Sequence, residues 1–216
     1  MTINNLNIIK QLLKWEDPND FYFIQILKRK KDNPDHTSYR MQISTYSIRS
    51  MESLDKLLPE MVMLAKFHKA RIYINLNRRN FEQLGLQMVK KVADCLINKE
   101  YKNIKNAFNS ISGSLHVEKP KRWIVDTDGF TPQEIQNIKD LIFELGGTIL
   151  ETIPTVNGMH IITNPLNVQE FSIKWTKMKE INGNSMPEIQ KDNATLLYYS
   201  DDDYDILRKI CIINQQ

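Results

Sequence analysis

The chain has 216 residues, with 29 Lys and Arg against 26 Asp and Glu, and 41% of it is hydrophobic. This is the composition of a globular chain with a sizeable core, which excludes a disordered or low-complexity protein. There is no run of ~18 apolar residues, no signal-peptide pattern, and Cys95 and Cys211 form no CxxC pair, so membrane insertion, secretion and structural zinc are not expected and a reducing cytoplasm is.

Leu6 to Trp15 has the apolar spacing of a short amphipathic helix, ended by Asp17-Pro18-Asn19-Asp20. Phe21 to Leu27 and Tyr39 to Ile48 read as strands around a polar loop. Ser50 is placed to cap a helix in which Leu54, Leu57, Leu58, Met61, Leu64 and Phe67 recur at helical spacing. Arg71 to Asn77 alternates like a strand, and Phe81 to Leu96 reads as a second amphipathic helix. The Lys- and Asn-rich residues 99–121 are expected to form a short helix and a loop closed by Pro120.

From Arg122 the pattern sharpens. Arg122 to Val125 is a short strand, and Thr131-Pro132-Gln133-Glu134 carries an N-cap, an N1 proline and a capping-box acid. The helix they open ends at Gly146-Gly147. Thr148–Thr155 and Met159–Thr163 form a hairpin about Val156-Asn157-Gly158, and Pro165 opens a helix carrying Val168, Phe171, Trp175 and Met178. Residues 183–193 read as a loop, and Ala194 to Ser200 as the last strand, running into Asp201-Asp202-Asp203. The order is β-α-β-β-α-β, so the expected fold class is α+β, with a ferredoxin-like or RRM-like core over residues 122–216. Residues 1–121 form an N-terminal α+β extension, which can join that core in one compact domain.

The run Trp123-Ile124-Val125-Asp126-Thr127-Asp128-Gly129 delivers two carboxylates to the end of an apolar strand. Side chains two apart on a strand point the same way, so Asp126 and Asp128 can grip one hard cation, Mg²⁺ or Mn²⁺. Taken alone, the same residues also suit a plain turn. His160 opens the strand after the hairpin, where the split βαβ order places it beside the acidic strand. There it can donate to a phosphate oxygen, with Gly158 allowing close backbone approach. Taken alone, a strand histidine is more often a satisfied, half-buried residue.

Together the two motifs resemble the catalytic core of the archaeo-eukaryotic primase superfamily, over about residues 122–203. The resemblance implies an RRM-like sheet, with Asp126 and Asp128 as metal ligands in WIVDTDG and His160 on the nucleotide phosphates in NGMHII. It also implies a third acid on a later strand, for which Asp201, at the head of the triple-Asp run, is the candidate.

The formal charge of +3 hides an asymmetry: residues 66–122 carry thirteen basic and four acidic groups, and residues 123–216 seven basic and fourteen acidic. A basic segment over 66–121 can present a polyanion surface, for which Arg78, Arg79, Lys121 and Arg122 are the candidate nucleic-acid or phosphate contacts. Tyr73 can stack on a base if it faces outward, although a core tyrosine is the commoner case. The expected function is that of a metal-dependent, primase-like nucleotidyltransferase acting on nucleic acid and nucleoside triphosphates. The alternatives are a non-catalytic nucleic-acid or protein-interaction module of the same fold, and a nuclease using the same acids.

Overall fold

The computed structural model describes residues 1–35, 37, 38, 40–182 and 186–201. Asp202, Asp203 and Cys211 lie outside the described residues, as does Tyr39 at the expected start of the second strand. The chain is α+β, built on two antiparallel sheets.

The first half opens with β1 (Thr2–Asn4) and α1 (Leu6–Leu12). The helix stops three residues short of Trp15 because Leu13 turns to extended geometry (φ −84°, ψ 133°) and joins the core. The backbone N–H and carbonyl of Lys14 are both held by the Tyr22 hydroxyl at 3.0 Å, which fixes the chain in its non-helical path. β2 (Asp20–Arg29) and β3 (Arg40–Ile48) pair over eight positions, and a 3₁₀ turn at Lys30–Asp32 follows β2. Ser50 caps α2 (Met51–Phe67): its hydroxyl accepts from the Ser53 N–H at 3.0 Å, and the Ser53 hydroxyl accepts from the Ser50 N–H at 3.1 Å. β4 (Arg71–Asn75), β5 (Arg79–Asn80), α3 (Phe81–Ile97), α4 (Tyr101–Ile104) and α5 (Ala107–Ser114) complete this half.

The second half contains β6 (Trp123–Asp126), α6 (Pro132–Glu144), β7 (Ile149–Pro154), β8 (Met159–Thr163), α7 (Val168–Asn182), β9 (Glu188–Gln190) and β10 (Ala194–Ser200). The capping box of α6 forms as its sequence demands, the Glu134 carboxylate accepting from the Thr131 N–H at 2.8 Å.

One strand departs from expectation. β10 does not close the second sheet, whose order is β7-β8-β6-β9; it lies between β1 and β4 in the first, ordered β1-β10-β4-β2-β3, with β5 on β2. The reason is hydrophobic. Six of the seven residues of Ala194–Ser200 are buried, so the strand needs cover on both faces and takes an interior place. The edge of the second sheet is left to the three residues of β9, which are too short and too polar to have been read as more than loop.

The alternation of β6 and β8 divides the apolar residues between two cores. Ile124 and Ile162, with Ile153 of β7, join a cluster with Ile9 of α1, Met61 of α2, Ile24 of β2, Ile72 of β4 and Leu197 of β10. Val125 and Ile161 face the other way, onto Ile138 and Ile142 of α6 and Phe171 and Trp175 of α7. The first core is thus shared across the two halves, and it holds the first sheet's helices and the second sheet together. Ile162 is fully buried in it, and Ile162→Ala is expected to cost about 2–5 kcal/mol in guanidinium unfolding while keeping a single transition.

Candidate functional site

Strand alternation that puts Ile124 and Ile162 in the shared core puts Asp126 and His160 on the same side of the second sheet. The register then sets His160 directly opposite Asp126 on one flank, and Glu188 of β9 directly opposite Asp126 on the other. A histidine and two carboxylates therefore stand in a row across β8, β6 and β9. Asp128 joins them from the loop after β6, its N–H donating to Asp126 Oδ1 at 3.0 Å and its Oδ1 accepting from the Thr155 hydroxyl at 2.6 Å.

This acidic loop is fastened to the β7–β8 hairpin. The Thr127 N–H and hydroxyl both donate to the Met159 carbonyl, at 3.0 and 2.8 Å, and the Gly129 N–H donates to the Asn157 carbonyl at 3.1 Å. Gly158 is what permits the approach: a Cβ there would lie 2.5 Å from the Thr127 carbonyl oxygen. Its observed role is thus to seat the hairpin on the acidic loop, where the sequence suggested room for a phosphate.

His160 is 8% exposed, and its Nδ1 lies 2.9 Å from the Thr195 hydroxyl. Burial lowers its pKa, against the opposing pull of Asp126 and Asp128, which favours the neutral imidazole. Its Nε2 faces Asp126 Oδ2 at 3.9 Å. Burial also pushes the Asp126 carboxyl up, helped by the charges of Asp128 and Glu188 and opposed by the Asp128 N–H and by His160.

Facing this acidic row, across a cavity of about 400 Å³, stand Arg29 and Lys31 from the end of β2 and its 3₁₀ turn, Arg40 of β3, and Arg71 and Tyr73 of β4. Arg71 is gripped by both carboxylate oxygens of Asp32, through Nε at 2.6 Å and through Nη2, and lies over the Tyr199 ring at 4.8 Å. Arg29 Nη1 donates to the Tyr73 hydroxyl at 3.3 Å. Burial, then the Arg29 charge, lowers the Arg40 pKa. Lys31 Nζ is 4.0 Å from Asp128 Oδ2, so the two walls meet there. The cavity therefore has one anionic and one cationic wall. It could take a ligand carrying both a hard cation and a run of phosphate charge.

Of the residues singled out in the sequence, the cavity brings together Asp126, Asp128 and His160, with Tyr73, largely buried, on its opposite wall. Asp201 sits at the far end of β10, half exposed and paired with the N-terminal ammonium of Met1, outside the cavity lining. The three arginines among the four basic candidates are turned inward, and Lys121 is partly exposed. Arg78 pairs with Glu16 at 2.7 Å and Asp20 at 3.3 Å. Arg79 is fully buried, donating to the Ser112 carbonyl at 2.8 Å, and burial lowers its pKa to about 10. Arg122 donates to the carbonyls of Leu12 and Leu76, at 2.7 and 3.2 Å, and Lys121 is 3.9 Å from Asp192. The residues sequence reasoning missed are Glu188, Arg29, Lys31, Arg40 and Arg71. Glu188 left a trace as the outer residue of the alternating run Glu188-Ile189-Gln190, and Arg29 and Lys31 lie in the unbroken basic run Lys28-Arg29-Lys30-Lys31.

Carboxylate oxygens suit Mg²⁺ or Mn²⁺, and a divalent cation would favour the charged form of Asp126, which burial and then the charges of Asp128 and Glu188 disfavour. Among the described residues no group of three His, Cys, Asp or Glu is already drawn together tightly enough to hold an ion. No family model, curated protein or solved structure matches the chain. No helix among the described residues is long and apolar enough to cross a membrane.

Three substitutions test this construction. Gly158→Ala is expected to lower stability by about 1–3 kcal/mol through overpacking against Thr127, whereas Gly113→Ala, where a Cβ meets nothing within 4 Å, should leave it unchanged or raise it. Thermal and urea unfolding of the pair checks the contrast. Arg79→Ala is expected to cost about 3 kcal/mol, because it removes the buried partner of the Ser112 carbonyl and of Asp192; the same unfolding curves measure it.

Proposed function

We propose that the chain is a metal-dependent, primase-like nucleotidyltransferase acting on nucleoside triphosphates and nucleic acid, of the archaeo-eukaryotic primase type. The observation that carries the reading is the two-walled cavity, in which Asp126, Asp128 and Glu188 stand opposite Arg29, Lys31, Arg40 and Arg71. The strand order β9-β6-β8-β7, with α6 and α7 packed on one face, supports a split βαβ, RRM-like core in which β9 is the fourth strand. The buried free thiol of Cys95 is consistent with a reducing cytoplasm as the working compartment.

In this reading Asp126 and Asp128 hold Mg²⁺ or Mn²⁺, and Glu188 takes the third-acid role for which the sequence suggested Asp201. The bound cation would supply charge neutralisation at the α-phosphate and lower the pKa of an attacking hydroxyl. The protein's own residues do the positioning. Arg29, Lys31, Arg40 and Arg71 bind and orient the triphosphate oxygens. Where Thr195 donates to Nδ1 of His160, the imidazole keeps its proton on Nε2 and can donate it in a hydrogen bond to a phosphate oxygen. Asp32 keeps the Arg71 guanidinium aimed.

Thermal unfolding with Mn²⁺ and a mixture of NTPs and dNTPs tests the reading. At ~100 times the dissociation constant, a ligand of the folded state adds roughly 2.7 kcal/mol, a shift of several degrees for a chain of this size. The shift is expected in the wild type, to vanish in Asp126→Asn/Asp128→Asn, to weaken in Glu188→Gln and to persist in Asp201→Asn. No shift in the wild type would sink the catalytic reading and leave a nucleic-acid-binding or protein-interaction module. Loss of the shift in Asp201→Asn but not in Glu188→Gln would return the third-acid role to Asp201.

A further inference from the structure

One face of the first sheet is packed on α1 and α2 through Ile24 and Ile26 of β2 and Ile72 and Ile74 of β4. The intervening residues of β2 and β4 point to the opposite face. Cross-strand partners share a face, so the register completes that face. Gln25 lies opposite Thr45 and Tyr73, Leu27 opposite Gln42 and Arg71, and Arg29 opposite Arg40. Gln42 and Arg40 are exposed on the edge strand, and Gln25 and Thr45 half-buried. None of these positions carries Asp or Glu.

What the strip offers is amide and guanidinium groups in a chain. Gln25 Nε2 donates to Gln42 Oε1 at 3.1 Å, and Arg40 Nη2 donates to Gln25 Oε1 at 3.3 Å. Side-chain amides match base edges, and guanidinium matches phosphate or guanine. At one end Thr45 donates to Asn109 of α5 at 3.2 Å. At the other, Arg29, Arg40, Arg71 and Tyr73 are also walls of the cavity, so the strip runs straight into it. Leu27, Arg71 and Tyr73 are themselves buried, so the strip is open on its β3 side; β3, β2 and β4 together span two strand spacings, roughly 10 Å, and Gln25 to Arg29 covers roughly 13 Å. That is room for one extended strand.

We infer that this strip is the lane of a single-stranded nucleic acid leading into the cavity. The direction of travel rests on the cavity being the nucleotide site proposed above, whereas binding to the strip does not. Sequence-tolerant contacts to backbone and base edges hold the strand, and the basic candidates at Arg78 and Arg79, being internal, take no part.

The test is fluorescence anisotropy of a labelled mixed-sequence oligonucleotide of about twenty bases, over a salt series without metal. Gln42→Glu/Thr45→Glu puts two carboxylates on the strip without touching the cavity lining. It is expected to weaken binding at least about tenfold, with the Mn²⁺–nucleotide thermal shift unchanged. Gln42→Lys, at an exposed position that tolerates substitution, is expected to tighten binding, which keeps the test decisive should the double variant fold poorly. Lys90→Glu/Lys91→Glu on α3 should leave affinity within about twofold. Oligonucleotide binding that is absent in the wild type, insensitive to all the strip variants, or abolished by the α3 pair would overturn the lane. A wild type that binds oligonucleotide through the strip but shows no nucleotide shift would keep the lane and overturn the catalytic reading.

Discussion

The pairing of β6 with β8 on one side and β9 on the other is the constraint on which the site depends. It lines up His160, Asp126 and Glu188 in one row, and it does so because Ile124 and Ile162 are held in the core shared with α1 and α2. A one-residue slip of β6 would send Asp126 into the second core, against Phe171 and Trp175, and a slip of β9 would turn Glu188 to that same face. The hydrophobic patterning of a short strand thus fixes where the charges stand. Placing carboxylates side by side in partial burial is unfavourable, as the raised Asp126 pKa records. The cationic wall stands across the cavity from them, and the Lys31–Asp128 approach is where the two walls touch.

Charge along the chain and charge in space prove to be different quantities. The most basic segment of the sequence spends much of its positive charge internally. Arg78, Arg79 and Arg122 tie α1, β2, α5 and the loop before β6 together through backbone carbonyls, the buried carboxylate of Asp20 and the exposed one of Glu16. Guanidinium suits this work, since its fork of donors can satisfy several carbonyls at once. The cationic wall of the cavity is drawn mostly from β2, its turn and β3, where the short basic run Lys28-Arg29-Lys30-Lys31 supplies two of its members. There the basic side chains reach solvent-filled space because the strands end at the cavity rim.

The hairpin between β7 and β8 is mechanically joined to the acidic loop. Thr127, Gly129 and Asp128 each bond to it, and Gly158 allows the two backbones to touch. Asp128 is therefore placed by a rigid element and not by a free loop, which is the arrangement a preorganised site requires. His160 leaves the same hairpin and is anchored in turn by Thr195 at the start of β10, so a strand of the first sheet orients a side chain of the second.

The sequence by itself determined the elements whose signals are local. The cap at Ser50, the capping box at Thr131, the Asn157-Gly158 turn and the shared direction of Asp126 and Asp128 all follow from spacing and side-chain chemistry within a few residues, and the β-α-β-β order of the elements then sets His160 beside the acidic strand. Tertiary structure decided what depends on burial at long range. Ala194–Ser200 went to the first sheet because its two apolar faces need cover that only β1 and β4 supply. The vacated edge fell to Glu188–Gln190, which brought Glu188 to Asp126 and left Asp201 at the far end of β10. The same packing turned Arg79 inward and Arg40 toward the cavity. Both are arginines of strands, and only the position of the surrounding chain distinguishes a structural guanidinium from one that faces an open cavity.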